Sequence, residues 1–325
     1  MVKAKVFIFR KQFEGLPKKG DLQLLEEDLP ALKDGEFLAE AVYLSVDPYM
    51  RSYAPRQPLG KPFLGSQVAR IVQSKNSKYP VGRHVVGYFG WRTHTVTTGE
   101  AYDIFPPAFL VPELEDVPLS YFLGEHRLFF FLEVCQVKKG ETVLVSGAAG
   151  AVGSIVGQIY KNKGCTVVGT AGSEEKGKWL VDELGFDHFI NYKTADLGKA
   201  LSETAPSGID CYFDNVGGET TNTVLSHMNK FGRIYISGAI SVYNEKDIRV
   251  PLDMSYFTRK HIRMEGFTVL TWQDRFLEGI LYNHKLLREG KLKTRETVTE
   301  GFENMYKAFV EMLQGKNFGK AIIKV

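Results

Sequence analysis

The feature that most constrains the fold is a glycine-rich turn joining a short apolar run to an amphipathic segment. The run is Thr142–Ser146, the turn is Gly147–Gly153, and the segment continues with Val156 and Ile159 on one face. Small residues let a backbone approach a pyrophosphate closely, and the start of a helix offers N–H groups to the anion. The order strand, glycine turn, helix therefore indicates dinucleotide binding. The G-x-x-G-x-x-G spacing alone also fits a strand–helix turn that binds nothing.

After Gly140, apolar runs alternate with segments of helical periodicity. The strand candidates are Val143–Val145, Thr166–Val168, His188–Ile190, Cys211–Phe213, Arg233–Ile236 and Met264–Val269. Such alternation predicts an α/β fold in which a doubly wound parallel sheet, a Rossmann domain, carries helices on both faces. Its ligand is expected beyond the carboxyl ends of the strands, where the glycine turn lies.

The rest of the chain predicts a second, β-rich domain. Residues 1–118 hold strand candidates punctuated by Pro and Gly, such as Val6–Phe9 and Phe37–Tyr43. We therefore expect a β-rich substrate domain at 1–118 and a nucleotide-binding domain at 119–284. The segment 285–325 ends in the strand-like Lys320–Val325, and we expect it to return to the first domain.

Composition narrows the function classes. The 325 residues carry 41 Lys and Arg against 38 Asp and Glu, a net charge of +3 without a basic run, so nucleic acid is not an expected partner. No apolar window of about 18 residues predicts a membrane span. The three cysteines are odd in number and far apart, and no Cys/His cluster exists. We therefore expect a cytoplasmic protein with no disulfide framework and no metal site.

The end of the second predicted strand favours NADP over NAD. NAD-binding domains usually carry an acid about 20 residues past the glycines, where it contacts the ribose hydroxyls. Here that place holds the neutral Thr170 and Ala171, and the cation Lys176 follows. The missing acid and the nearby cation predict recognition of a 2′-phosphate, although a lysine at this spacing is also typical of a solvated helix face.

Two further turns follow strands of the same predicted sheet. Asp214–Gly218 follows the fourth strand and Ser237–Tyr243 follows the fifth. Both fit ordinary strand-to-helix turns. Because the carboxyl ends of parallel strands meet at one edge, two glycine-bearing turns there favour a shared ligand.

Taken together, these segments resemble the prostaglandin reductase, or leukotriene-B hydroxydehydrogenase, family in the zinc-free branch of the medium-chain dehydrogenase/reductases. The resemblance spans nearly the whole chain. The matching motifs are Val46-Asp47-Pro48-Tyr49-Met50-Arg51, Gly147–Gly153, Tyr212–Gly218, Phe231–Ile234, Gly238–Ser241, Glu300–Asn304 and Gly319-Lys320. The resemblance implies a GroES-like fold for the β-rich domain. Zinc-dependent relatives carry Gly-His-Glu where this chain has Gly65-Ser66-Gln67, so the resemblance implies no catalytic zinc.

The resemblance also implies a coenzyme, NADP (NADPH), and its contacts. The expected pyrophosphate contacts are Gly150, Ala151, Val152 and Gly153. Lys176 and Tyr192 match adenosine-phosphate contacts, and Asn215 matches a ribose or diphosphate contact. The expected nicotinamide lining is Ser237, Gly238, Ala239, Ile240, Ser241, Val242, Tyr243, Phe267, Thr268, Val269 and Asn317. Family dimers pair nucleotide-domain edges, which makes Met264–Val269 the expected edge of a homodimer.

The implied reaction is conjugate reduction of α,β-unsaturated ketones and aldehydes: keto-prostaglandins, oxidised leukotrienes and lipid enals. Hydride goes from NADPH to the β-carbon, and an enolate develops on oxygen. Oxygen-side donors then replace a metal. Tyr243 is the expected donor, with Tyr49 close to the substrate; a surface loop tyrosine and a core aromatic are the respective alternatives.

One segment departs from the family. The chain between Gly124 and Glu133 is about six residues short of the family's glycine-rich stretch, which removes roughly 9 Å of helix rise. This departure leaves a second hypothesis open, an NADP-binding protein with weakened or lost turnover. A quinone reductase of the same superfamily is the third.

Overall fold

The computed structural model describes residues 2–114, 116–124, 131–246 and 252–325. The strands are β1 Lys3–Phe9, β2 Leu22–Asp28, β3 Phe37–Val46, β4 Gln67–Ser74, β5 His84–Gly87, β6 His94–Thr97, β7 Phe109–Leu110, β8 Thr142–Val145, β9 Thr166–Ala171, β10 His188–Asn191, β11 Ile209–Asp214, β12 Met228–Ile236, β13 Arg263–Gly266, β14 Glu296–Glu300 and β15 Lys320–Lys324. The α-helices are α1 Tyr49–Tyr53, α2 Phe131–Cys135, α3 Ala151–Asn162, α4 Glu174–Lys178, α5 Leu197–Thr204, α6 Gly218–His227, α7 Ser255–Lys260, α8 Phe276–Arg288 and α9 Met305–Leu313. Short 3₁₀ or π segments span Ala54–Arg56, Leu119–Leu123, Trp179–Glu183, Ile240–Val242, Val269–Arg275 and Phe302–Asn304.

The chain divides into two units. Unit 1 comprises Met1–His126 and Glu296–Val325, and unit 2 comprises Arg127–Arg295. The sequence predicted boundaries at 118/119 and 284/285. In the structure the divisions fall at 126/127 and 295/296, and a boundary at 284 would cut α8, which runs to Arg288.

Unit 2 carries the predicted doubly wound sheet. Its strands are all parallel and lie in the order β10-β9-β8-β11-β12-β13. The strand order reverses between β8 and β11, which is the crevice where doubly wound folds hold ligands. The predicted α/β class is confirmed, with one local difference. The sixth strand ends at Gly266, so Phe267–Val269 lie beyond it rather than inside it.

The sequence explains why β8 and α3 form the centre of this unit. Val143, Leu144 and Val145 are fully buried, as expected for a continuous apolar strand covered on both faces. In α3, a Cβ on Gly157 would lie 1.9 Å from Cζ of Phe186, so only glycine fits this contact with the ring.

Unit 1 is the β-rich unit. Its seven-stranded sheet follows the path β14-β15-β3-β4-β5-β7, with β6 pairing β3, and β1 and β2 form a separate antiparallel pair. Among the described residues of this sheet, only β14 and β15 pair in parallel. An aromatic core joins Phe63, Trp91 and Phe309, with ring centroids 4.9 and 5.6 Å apart along the series.

The last strand completes the sheet of unit 1. β15 lies between β14 and β3 and pairs antiparallel with β3, with Ala321 opposite Val46. The final strand therefore returns to the N-terminal β-rich unit. In the portions of the chain that the structure describes, no helix combines the length and the apolar character that a bilayer crossing requires.

Candidate functional site

The glycine turn of unit 2 lies between β8 and α3. Gly147 has a φ of +59°, and Gly150 is the N-cap residue of α3 in an extended conformation. Ala151 and Val152 form the first turn of the helix, half-buried. A Cβ on Gly153 would lie 2.5 Å from the carbonyl oxygen of Gly147, so glycine is required for the helix to approach the turn. Dinucleotide-binding turns use the same close approach of helix and strand.

Asp214, at the end of β11, joins the neighbouring turn to the glycine turn. The carboxylate is 1% exposed, and its Oδ1 accepts from the N–H groups of Val216 and Gly217 at 2.9 and 2.8 Å. The hydroxyls of Ser146 and Tyr212 donate to the same oxygen at 3.2 and 2.8 Å. Burial and the nearby carboxylate raise the pKa of Tyr212, so its phenol stays protonated and donates.

The same network orients Asn215. The backbone N–H of Asn215 donates to Oγ of Ser146 at 3.0 Å, and its amide nitrogen donates to the carbonyl oxygen of Ser146 at 2.7 Å. Thr221 donates to the second oxygen of Asp214. Asp214 therefore fixes the neighbouring residues through hydrogen bonds within the protein. Asn215 is held beside the glycine turn, where the sequence predicted it.

The third loop, Ser237–Tyr243, packs on the second. Ser237 donates its N–H to the carbonyl oxygen of Asp214 at 2.8 Å, and Ile240 donates to that of Asn215 at 3.2 Å. Ser241 donates to the carbonyl oxygen of Val216 from both its N–H and its hydroxyl, at 3.1 and 2.6 Å. The structure therefore brings together the predicted residues of three loops at one sheet edge.

Tyr243 folds back over its own loop. Its phenol oxygen accepts a hydrogen bond from the N–H of Ala239 at 3.2 Å. A Cβ on Gly238 would lie 3.1 Å from that oxygen, so the glycine admits the phenol. Because the oxygen is the acceptor in this contact, the phenol can donate its own hydrogen to another group. Tyr243 is half-buried.

A cationic pair lies beyond β9 and β10. Lys176 is 9% exposed in α4, and its pKa is lowered first by burial and then by the neighbouring cation Lys193, with Glu175 opposing. A Cβ on Gly172 would lie 3.0 Å from the hydroxyl of Tyr192 and 3.3 Å from Nζ of Lys193. Tyr192 itself is 48% exposed. Two cations and a phenol meet where an NAD-binding domain would carry an acid.

Sequence reasoning missed Lys193. The signal was available, because Lys193 follows β10, and β10 is the neighbour of β9 in the classical strand order. Residues just past the carboxyl ends of adjacent parallel strands meet at the same edge.

Phe267 directly follows β13 and remains bonded to the same sheet. Its N–H donates to the carbonyl oxygen of Ile236 at 3.3 Å, and its ring lies 6.0 Å from that of Phe213. The hydroxyl of Thr268 accepts from the N–H of Leu270 at 3.4 Å and caps the 3₁₀ turn that begins at Val269. Phe267 is therefore anchored to the sheet, and the two following residues turn away from it.

Two predicted residues belong to unit 1. Tyr49 is the first residue of α1, half-buried, with its ring 6.0 Å from Tyr53 and 6.4 Å from Phe105. It packs in part against the aromatic core, so the alternative of a core aromatic describes part of its surroundings. Asn317 lies in the turn before β15, where its amide donates to the carbonyl oxygen of Gly319 at 2.8 Å.

Two sequence expectations remain, one about the shortened segment before Glu133 and one about metal binding. Most of the shortened segment, residues 125–130, lies outside the described residues. Among the residues that are described, no group of three or more His, Cys, Asp or Glu side chains is arranged to hold a metal ion.

The unit 2 edge fits a phosphate-bearing dinucleotide on two independent features. The first is the glycine turn, where Gly150 caps α3 and the first N–H groups of the helix suit a pyrophosphate. The second feature is the pair Lys176 and Lys193, whose mutual repulsion a phosphate dianion would relieve. A pyrophosphate at the turn and a 2′-phosphate at the cations suit NADP better than NAD.

Two family models match the chain. Residues 5–104 match the N-terminal domain of oxidoreductases, and residues 151–280 match the model described as zinc-binding dehydrogenase. The first match lies in unit 1 and the second in unit 2.

Similar proteins match over the full length. Prostaglandin reductase 1 of Bos taurus is 49% identical over 333 residues, with all of both chains covered. The NADPH-dependent curcumin reductase of Escherichia coli is 36% identical and covers 96% of this chain and 94% of its own. Among solved structures, CurA of Vibrio vulnificus in complex with NADPH superposes with a TM-score of 0.91 at 33% identity, covering 99% of both chains.

Proposed function

The chain belongs to the prostaglandin reductase family of zinc-free medium-chain dehydrogenase/reductases, and from this premise we propose that it reduces the carbon–carbon double bond of α,β-unsaturated ketones and aldehydes with NADPH. The observation that carries the proposal is the full-length identity of 49% to prostaglandin reductase 1. The name of the E. coli relative, NADPH-dependent curcumin reductase, points to the same coenzyme.

The coenzyme contacts follow the three loops and the cationic pair. The glycine turn, Gly150–Gly153, binds the pyrophosphate through its backbone. Lys176 and Lys193 hold the 2′-phosphate, with the phenol of Tyr192 beside it. The loop Ser237–Tyr243 lines the nicotinamide half, with Asn215 beside the glycine turn. Phe267, Thr268, Val269 and Asn317 complete the proposed lining.

The chemistry needs an oxygen-side donor. Bound NADPH supplies a hydride for the β-carbon of the substrate. Charge then develops on the carbonyl oxygen, and a phenol that donates a hydrogen bond stabilises it. Tyr243 is the proposed donor because its oxygen accepts from Ala239, which leaves the phenol hydrogen available for donation to the substrate. Tyr49 is the proposed aromatic contact of the substrate. Keto-prostaglandins, oxidised leukotrienes and lipid enals are the proposed substrates.

An assay of NADPH oxidation with 2-nonenal, a keto-prostaglandin and a simple quinone tests this function. Turnover of the enal and the prostaglandin above that of the quinone is the expected result. Binding of NADPH without oxidation of any substrate would favour the silent, coenzyme-binding alternative raised by the short segment before Glu133. Preference for the quinone would favour the quinone reductase alternative.

The role of Tyr243 can be tested with Tyr243→Phe. Loss of one oxyanion donor lowers kcat by about a hundredfold to a thousandfold in well-studied cases. We expect a fall in kcat of that order for 2-nonenal, with NADPH affinity little changed. Tyr102→Phe, at an exposed tyrosine of unit 1, is the matched control. Equal kcat for Tyr243→Phe and wild type would remove Tyr243 from the reaction.

A homodimer and a cytoplasmic location complete the proposal. β13 is an edge strand of the sheet in unit 2, and pairing of its unpaired edge with a second copy would bury that edge. The three cysteines are buried free thiols, which suits a reducing compartment. Sedimentation at twice the 36.6 kDa of one chain is expected; a 36.6 kDa species at micromolar concentration would refute the dimer.

A further inference from the structure

Strand register places a buried lysine opposite the Asp-Pro-Tyr motif. β15 runs antiparallel to β3 with Ala321 opposite Val46, so Lys320 comes to lie beside Asp47. Lys320 is 2% exposed. Its ammonium donates to Oδ1 of Asp47 at 2.6 Å, to Oγ of Ser45 at 2.7 Å and to the carbonyl oxygen of Val46 at 3.1 Å. All three donors of the ammonium are therefore used.

Asp47 transmits this contact to α1. Its second carboxylate oxygen accepts from the hydroxyl of Ser45. Its backbone carbonyl oxygen accepts from the N–H of Met50 at 3.2 Å, and Met50 is fully buried. Asp47 is thus held on both its side chain and its backbone, and Tyr49 lies between these two anchors along the chain.

Asn317 lies three residues before Lys320 in the chain. The amide of Asn317 is bound to the carbonyl oxygen of Gly319, the residue before Lys320. Between them, the N–H of Phe318 donates to Oγ of Thr297 at 2.9 Å. Gly124 packs on the lysine stem, since a Cβ there would lie 3.1 Å from Cε of Lys320. The side chain of Lys320 therefore holds the segment before Tyr49, and its backbone continues the segment that bears Asn317.

A gain in folding stability does not by itself explain the ion pair of Lys320 with Asp47. Removing two charges from water is costly, and apolar side chains of similar volume often replace a buried ion pair without loss of stability. A charged pair does fix geometry, because each of its hydrogen bonds is directional and the alternative arrangements leave a buried charge unmet.

We propose that Lys320 is a positioning residue, which through Asp47 sets the place of Tyr49 for the substrate and through its own strand sets that of Asn317 for the nicotinamide half of the coenzyme. The proposal rests on the function proposed above, and it assigns Lys320 no contact with substrate or coenzyme.

The test compares Lys320→Met with Lys324→Met in the full chain. Lys324 lies on the same strand in an exposed pair with Glu300, so its loss controls for the substitution itself. For Lys320→Met, we expect the KM for 2-nonenal to rise by about tenfold or more, together with a weaker affinity for NADP⁺. The affinity for 2′,5′-ADP, which lacks the nicotinamide half, should stay within about twofold. Lys324→Met should match wild type in all three.

A double variant separates positioning from folding. Lys320→Met leaves the carboxylate of Asp47, 22% exposed, without its cation and can unfold unit 1, whereas Lys320→Met with Asp47→Asn removes both charges. We expect the double variant to regain the thermal midpoint of wild type yet keep the raised KM, since Met donates no hydrogen bond to the turn. Restoration of the KM together with the midpoint would overturn the proposal, as would a folded Lys320→Met variant with unchanged KM and unchanged NADP⁺ affinity.

The two proposals fail in different ways. If wild type reduces no enone, the proposed reaction fails. The ratio of the affinities for NADP⁺ and 2′,5′-ADP still tests the effect of Lys320 on Asn317, because it needs no turnover. A ratio equal in Lys320→Met and wild type would then overturn the positioning role.

Discussion

Single side chains define the chemistry at the sheet edge of unit 2. Asp214 accepts hydrogen bonds from two loops of the protein, whereas the cations Lys176 and Lys193 raise the electrostatic potential where an acid would favour NAD. The first is a buried, satisfied carboxylate, and the second is a pair of like charges that a ligand would stabilise. Residue type alone does not distinguish the structural role of Asp214 from the proposed ligand-binding role of the two lysines. The burial and the interaction partners of each side chain do.

Lys193→Ala tests the cationic pair. A charge-assisted hydrogen bond contributes about 1.5–3 kcal/mol, which corresponds to roughly a tenfold to hundredfold change in affinity. We expect NADPH to bind that much more weakly and NADH to bind as in wild type, measured by calorimetry. Lys199→Ala, at an exposed lysine of α5, serves as the control. An equal loss for NADPH and NADH would mean that Lys193 does not contact the 2′-phosphate.

The same pair predicts a pH dependence of binding. In the free protein, burial and Lys193 lower the pKa of Lys176 below its usual 10.5. A bound phosphate dianion would raise it again, because an opposite charge favours the ammonium. The complex then binds a proton more tightly than the free protein does, so NADPH affinity falls as the pH rises through the lowered pKa. Titrations of NADPH and NADH between about pH 7 and pH 10 should diverge; parallel curves would contradict this.

At the scale of elements, the sequence predicted what depends on local periodicity. The apolar run of β8, the glycine turn and the start of α3 follow from residue type and spacing, and all three are found. β13 ends three residues earlier than its apolar pattern suggested, because Thr268 caps the 3₁₀ segment that begins at Val269. The partnership of Lys320 with Asp47 is a matter of register between segments some 270 residues apart, for which the sequence carries no local signal.

Two glycines in helices give opposite predictions. In α3, a Cβ on Gly153 would meet backbone atoms of Gly147 and Ala148 at 2.5 and 2.7 Å, and backbone cannot move aside as a side chain can. Gly153→Ala should therefore cost about 1–3 kcal/mol of unfolding free energy and weaken NADPH binding. In α5, a Cβ on Gly198 would meet its neighbours at 3.5–3.7 Å, so Gly198→Ala should stabilise by about 0.5–1 kcal/mol. Urea unfolding measures both, and a stable Gly153→Ala variant with full affinity would refute the proposed pyrophosphate contact of the glycine turn.

At the scale of the whole molecule, each unit has its own core and its own reporters. Trp91 and Ile323 share the core of unit 1, whereas Cys135, Cys165 and Cys211 are all buried in unit 2. Burial raises the pKa of Cys165 to about 11, so its thiol reacts slowly until unit 2 opens. Tryptophan fluorescence and thiol labelling can therefore follow the two units separately.

Ile323→Ala should affect one unit. Removal of a fully buried isoleucine side chain costs about 2–5 kcal/mol, and this cost falls on the core around Trp91. With Trp179 and Trp272 replaced by Phe, the urea midpoint of fluorescence should fall while that of thiol labelling stays unchanged. Val325→Ala, at a half-exposed position, should move neither. A joint shift of both midpoints would mean that the two units unfold together.

The place of β15 between β3 and β14 has a consequence for biosynthesis. Unit 2 is continuous in sequence and leaves the ribosome complete, whereas β3, made early, waits for a neighbour encoded some 270 residues later. Throughout that interval the Tyr43–Val46 end of β3, which β6 does not cover, presents an open edge that is a template for wrong pairing. The nascent protein thus holds its first domain unfinished while the second matures, and the interval before Glu296–Val325 emerges is when it most needs a chaperone.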